Sequence, residues 1–122
     1  MANHIPAIVV IAYNRPEPLQ RLLSSIQKAR YPNGTQIPIV ISIDGGGEHN
    51  AAVSEIAQTF RWAYGEKEII NHSSNLGLIE HVFACGDLSQ KFGSIILLED
   101  DLFVGRSFYF YAQQGLNFFD VD

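Results

Sequence analysis

The run Ile95-Ile96-Leu97-Leu98-Glu99-Asp100-Asp101 places four aliphatic residues directly before three consecutive carboxylates. An apolar run with β-branched residues and no polar alternation predicts a central strand buried on both faces, the kind found in parallel sheets covered by helices. The acids then fall at its C-terminal end. Like charges a few ångströms apart repel by about 3–4 kcal/mol per close pair at an effective dielectric of ~20, so their adjacency asks for a positive partner. A divalent cation is the simplest one, since Mg2+ and Mn2+ prefer hard oxygen ligands and take one or two carboxylates plus substrate phosphates. A polar turn closing the strand is the alternative.

The rest of the chain repeats the pattern of apolar run followed by amphipathic segment. Ile5 to Ala12 predicts a first buried strand. Asn14, with Glu17 three residues on and Pro16 and Pro18 in the first turn, predicts a capped helix whose apolar face is Leu19, Leu22, Leu23, Ile26 and Ala29. Pro32-Asn33-Gly34 ends it. Ile37 to Ile43 predicts a second strand closed by Asp44-Gly45-Gly46-Gly47, and Val53, Ile56, Ala57 and Phe60 mark a second helix. A short strand over 67–71 leads through His72-Ser73-Ser74-Asn75 into a third helix over 76–91, with Leu78, Val82, Cys85 and Leu88 or Phe92 inward. The strand 94–98 follows. Ser107 then reads as the N-cap of a fourth helix carrying Phe108, Tyr111, Ala112, Leu116 and Phe119. This β-α-β-α-β-α-β-α order predicts an α/β fold, three layers deep, with a mainly parallel sheet, right-handed crossovers and helices on both faces.

Ligands of such sheets bind outside the carboxyl ends of the strands. Three polar strand ends therefore converge: Tyr13-Asn14-Arg15, Asp44-Gly45-Gly46 and Glu99-Asp100-Asp101. Arg15 is a cation in a first helical turn, unfavourable to the helix dipole, and reads as a ligand contact or a solvated side chain. Asn14 is a cap or a ligand group. Asp44 is a turn aspartate or a ligand contact, and the glycines beside it allow a tight turn or a close approach of ligand to backbone. His81 is a packed or half-exposed histidine or a phosphate or sugar contact.

Several chemistries are absent. No phosphate-cradling glycine-rich loop ends in Lys-Ser/Thr, no glycine lies in Ala12-Tyr13-Asn14-Arg15-Pro16, and no Gly-x-Ser-x-Gly elbow occurs. A phospho-receiver fits poorly, because its acids follow the first strand. The formal net charge is -5, with 13 acids against 8 basic residues and no basic run along the chain, which argues against nucleic acid or an anionic membrane as partner. Cys85 is the one cysteine, so no internal disulfide forms and a reducing compartment is expected. No apolar run approaches the ~20 residues that span a bilayer, and no basic leader precedes the first strand. With a native N-terminus, a cytoplasmic location is expected. At 122 residues the chain reads as a single domain.

With these residues placed, the chain resembles the N-terminal nucleotide-binding half of a GT-A fold glycosyltransferase, a Rossmann-like architecture. Pro6 through Pro16 resembles the family's first strand and Asn-Arg turn. Ile41-Ser42-Ile43-Asp44-Gly45 resembles its second strand and aspartate, Asn75-Leu76-Gly77 its Asn-x-Gly helix start, and Glu99-Asp100-Asp101 its Asp-x-Asp metal motif. The Glu-Asp-Asp form, with Leu102 and the aromatics near Ser107-Phe108-Tyr109, is most similar to the inverting N-acetylglucosaminyltransferase I group. The resemblance implies a UDP-sugar donor and Mn2+ (or Mg2+). It implies Asp101 as the direct metal ligand, Asp100 and Glu99 as acceptors from ribose and sugar hydroxyls, Asp44 facing the uracil, Tyr13, Asn14 and Arg15 beside the nucleotide, and His81 near the base.

Such enzymes draw their catalytic base from a second half that also builds the acceptor site. No convincing base lies upstream of Asp122, so the chain reads as a fragment of a longer enzyme or a truncated relative. Two other functions compete: a nucleotide-sugar-binding or interaction module without turnover, and a metal-dependent phosphohydrolase on another α/β scaffold. Apolar surface left uncovered by a truncated sheet predicts a homo-oligomer. The acceptor, whether glycan, lipid or protein, is not legible.

Overall fold

A computed structural model describes residues 4–118. The expected alternation of strands and helices is present. Four strands, β1 (Ala7–Ala12), β2 (Ile39–Ile43), β3 (Lys67–Asn71) and β4 (Ile95–Glu99), form one all-parallel sheet in the order β3-β2-β1-β4. Five helices accompany them: α1 (Pro16–Lys28), α2 (Asn50–Thr59), α3 (Leu78–Gly86), α4 (Leu88–Phe92) and α5 (Phe108–Phe118).

The period of two along each strand sorts the core into two layers. Ile8, Val10 and Ala12 of β1 and Ile39, Ile41 and Ile43 of β2 face the buried residues of α1 and α2, together with Tyr109. Val9, Ile11 and Val40 face Cys85 of α3, with Val82, Leu88 and Phe92 packed against them. Helices therefore cover both faces, as the order of elements predicted. A ring cluster closes the first layer: Tyr31 meets Trp62, Tyr64, Phe108 and Tyr109, with centroids 4.7–6.1 Å apart. Three polar tips of the cluster are satisfied, Tyr31 Oη donating to Ile26 O (2.6 Å), Trp62 Nε1 to Ile37 O (2.7 Å) and Tyr109 Oη to Pro6 O (2.8 Å).

Five expectations change. First, the acidic strand is not central. Among the described residues β4 pairs with β1 alone, so Ile95, Ile96 and Leu97 are half-buried, whereas β1 is buried along its whole length. Second, the ladder of the second strand starts at Ile39 rather than Ile37, because Pro38 has no N–H to pair. Third, the helix expected over 76–91 is two helices, parted where Gly86 and Asp87, both poor in helix interiors, meet. Its inward face carries His81 and Cys85, and Leu78 is exposed. Fourth, α5 buries Tyr109 while Tyr111 points outward, so that helix is rotated from the expected register. Phe119, expected on its apolar face, lies outside the described residues.

The fifth concerns Asn14. It does not cap α1: it sits in the left-handed region (φ 55°), and its Oδ1 instead accepts the His49 N–H at 2.7 Å. Arg15 holds the N-cap position with no side-chain cap bond, and Pro16 and Pro18 reduce the first-turn donors that need one. No helix among the described residues is long and apolar enough to cross a membrane.

Candidate functional site

The turns after β1, β2 and β4 meet at one edge of the sheet because those strands are spatial neighbours. They enclose a cleft of about 310 Å3 lined by Tyr13, Arg15, Asp44, His81, Glu99 and Asp100, with Ile11, Asn75, Gly77 and Leu78 completing the wall. Six of the eight residues expected at the site thus line one cleft. Asn14 is turned to the loop at 49, and Asp101 lies beside the cleft rather than in its wall.

Asp44 is buried, and its carboxylate organises the centre. Oδ1 accepts the N–H of Gly45 (2.9 Å) and of Leu76 (2.7 Å), and Oδ2 accepts that of Gly77 (3.1 Å) and lies 3.4 Å from Asn75 Nδ2. Asn75 Nδ2 also donates to Gly45 O (3.0 Å). The end of β2 is thereby locked to the start of α3, and an ionised carboxylate receives charge-assisted bonds from backbone donors. Glycine is obligatory at 45: a Cβ there would lie 2.5 Å from His72 O and 2.9 Å from the Ser74 carbonyl carbon. Gly77, at φ +80°, adopts the conformation that L side chains resist.

Asp100 makes the equivalent lock between β1 and β4. Its Oδ2 accepts the Tyr13 N–H at 3.0 Å, while its own N–H donates to Ile11 O at 3.0 Å. Burial pushes this carboxyl above the usual carboxylate range, against the Tyr13 bond and the Arg15 charge, which pull it down. The alternation of the strand carries one residue past its end, so Glu99 and Asp101 are exposed and Asp100 is buried between them. The Asp101 carboxylate meets Arg15 Nη1 at 3.9 Å, with both side chains more than half exposed.

Behind the cleft wall lies a cluster that the sequence reading did not find. Ser42 Oγ contacts Nε2 of His81 at 2.8 Å and Nε2 of His72 at 3.0 Å. Burial pulls His81 below the ordinary histidine range, with Asp44 opposing and His72 adding to the shift. The signal available in sequence was parity: Ser42 stands two residues before Asp44 and so shares its face, the face that α3 covers.

Among the described residues no group of three or more His, Cys, Asp or Glu side chains is gathered to hold a metal ion. A cation held by one carboxylate and completed by phosphate and water needs no such group. Asp101 fits that requirement, being exposed and, among the described residues, paired with Arg15 alone at 3.9 Å. A larger open groove, about 800 Å3, lies between α1 and residues 103–106 and is lined by Arg21, Lys28 and Arg106 beside Phe103. Its cations are scattered in sequence, which is why no basic run announced it. It contains no carboxylate and none of the strand ends, so the chemistry favours the smaller cleft.

No protein-family model matches the chain, and no curated protein matches it. Solved structures do. S. aureus TarS 1-349 superposes with a TM-score of 0.64 at 14% identity, over 91% of this chain and 32% of that one. A second S. aureus TarS structure gives a TM-score of 0.66 at 13% identity, over 91% and 19% respectively. This chain therefore spans about a third and a fifth of those proteins. At these identities the likeness is one of fold alone, a Rossmann-like α/β fold with a parallel sheet.

Proposed function

We propose that this chain is the donor-binding half of a metal-dependent glycosyltransferase that takes a sugar from a UDP-sugar, with inversion, and passes it to an acceptor held elsewhere. The observation that carries the reading is the cleft at the carboxyl edge of a parallel sheet, where Arg15, Asp44 and the pair Glu99 and Asp100, from three different turns, face one space. The fold likeness to TarS supports it. The narrower likeness to the N-acetylglucosaminyltransferase I group rests on the Glu-Asp-Asp form with Leu102 and the aromatics near Ser107-Phe108-Tyr109.

In this reading Asp101 holds Mn2+ or Mg2+, which when bound neutralises charge on the departing diphosphate. The chain's own residues divide the remaining work. Arg15 adds positive charge beside the diphosphate. Glu99 and Asp100 accept hydroxyls of ribose and donor sugar. Asp44 fixes Leu76 and Gly77 so that the nucleoside meets a rigid wall, and His81 closes that wall. Both buried carboxylates, Asp44 and Asp100, are engaged by backbone donors. The base that activates the acceptor is accordingly assigned to another part of the enzyme.

Amide shift mapping with UDP and Mn2+ tests the reading. Perturbations centred on Gly45, Gly77 and Glu99 are expected. Perturbations confined to Arg21, Lys28 and Arg106 of the α1 groove would contradict it.

A further inference from the structure

We propose that Ser42 and His72 are positioning residues that fix His81 as a hydrogen-bond donor, with Nδ1–H offered to an acceptor oxygen of the ligand in the cleft. The ligand-facing half of this inference rests on the nucleotide-binding reading; the proton arrangement does not.

A serine hydroxyl has one hydrogen and two lone pairs, and a neutral imidazole has one N–H and one bare nitrogen. Ser42 Oγ meets Nε2 of both histidines, so it donates to at most one of them and accepts from any other that it bonds. When its one hydrogen is directed at His81 Nε2, Ser42 accepts from His72 Nε2–H.

Two observations favour this arrangement over its reverse. The His81 contact is the shorter, 2.8 Å against 3.0 Å, and O–H donors make shorter bonds than N–H donors. The His81 ring also lies in the field of the Asp44 carboxylate, which favours a proton directed into the cleft rather than a bare nitrogen there. With Nε2 occupied by Ser42, the proton of His81 sits on Nδ1. That nitrogen has no hydrogen-bond partner among the described residues, and the ring lines the cleft. The ligand atom it recognises is therefore an acceptor, a carbonyl or phosphate oxygen, rather than a hydroxyl or amino hydrogen. His72 is half-buried outside the cleft, so it sets the state of His81 without touching ligand.

The test is long-range 1H–15N correlation of the histidine rings in the full chain, near neutral pH and without ligand. His81 is expected with a protonated Nδ1 and a bare Nε2, and His72 with a protonated Nε2. In Ser42→Ala the His81 ring is expected to become a mixture of tautomers and UDP affinity to fall about fivefold, and Ser42→Thr, which keeps the hydroxyl, to restore both. A protonated Nε2 on His81 in the unaltered chain would overturn the proposal, as would ring nitrogens unchanged in Ser42→Ala. If Ser42→Ala does not fold, the unaltered chain still decides. A chain that shows the assigned nitrogens yet binds no UDP would support the proton arrangement and overturn the nucleotide reading instead.

Discussion

The backbone N–H of Tyr13 donates to Oδ2 of Asp100 across 3.0 Å, joining turns that stand 87 residues apart in sequence. With the Asp100 N–H on Ile11 O, it fixes the acidic end of β4 against the first turn. Bonds to charged groups contribute roughly 1.5–3 kcal/mol, but the desolvation that raises the Asp100 carboxyl offsets part of this. Asp100→Ala is accordingly expected to lower stability by about 1 kcal/mol in urea unfolding and to weaken UDP binding; an unchanged midpoint would mean that the tie contributes nothing.

Gly45→Ala tests the second lock. The added methyl would press on the His72 and Ser74 backbone, which cannot move aside as a flexible side-chain tip could. A loss of about 2–3 kcal/mol is expected, the upper range for overpacking. Because the clash lies between β2 and the approach to α3, ligand affinity should fall with it. Thermal melting and UDP titration of one preparation check both.

Lys67 is a structural cation that no sequence motif marked. Its Nζ donates to the carbonyls of Ala57 (2.7 Å), Gln58 (3.0 Å) and Phe60 (2.8 Å), where α2 ends and exposes unpaired carbonyls. Lys67→Met keeps the stem and removes the charge. A loss of about 1–2 kcal/mol with unchanged nucleotide affinity is the expected result of chemical denaturation and calorimetry together.

The pH dependence of stability follows from His81. Histidine ordinarily titrates near 6.5, and burial among Ser42, Cys85 and His72 depresses it, with Asp44 opposing. The unfolded chain then takes up a proton that the folded chain refuses until lower pH. Stability should therefore fall as pH drops below about 6.5, and level off once folded His81 is also protonated. Urea midpoints across this range should decline more steeply for the unaltered chain than for His81→Gln; parallel curves would contradict the assignment.

The sheet and the cleft were legible in sequence because their determinants are local. Unbroken aliphatic runs mark strands, and the βαβ order fixes which strand ends share an edge. The position of β4 was not, since an apolar run reports burial but not how many strands flank it. Helix faces failed where two registers bury similar area, as with Tyr109 against Tyr111. Asn14 misled because a capping pattern carries no information about a left-handed backbone at that residue. Ser42, His72 and Lys67 act through contacts made only after the chain has folded. A lone serine in an apolar strand announces none of them.

A nucleotide-diphosphate site completed by a metal on Asp101 is tested most directly by calorimetric titration of UDP with and without Mn2+. The unaltered chain should bind UDP at least tenfold more tightly with Mn2+, a difference of about 1.4 kcal/mol. Asp101→Ala should abolish that gain while leaving the melting temperature unchanged, because among the described residues its exposed carboxylate meets Arg15 alone, at 3.9 Å. Equal UDP affinity with and without Mn2+ in the unaltered chain would contradict the account.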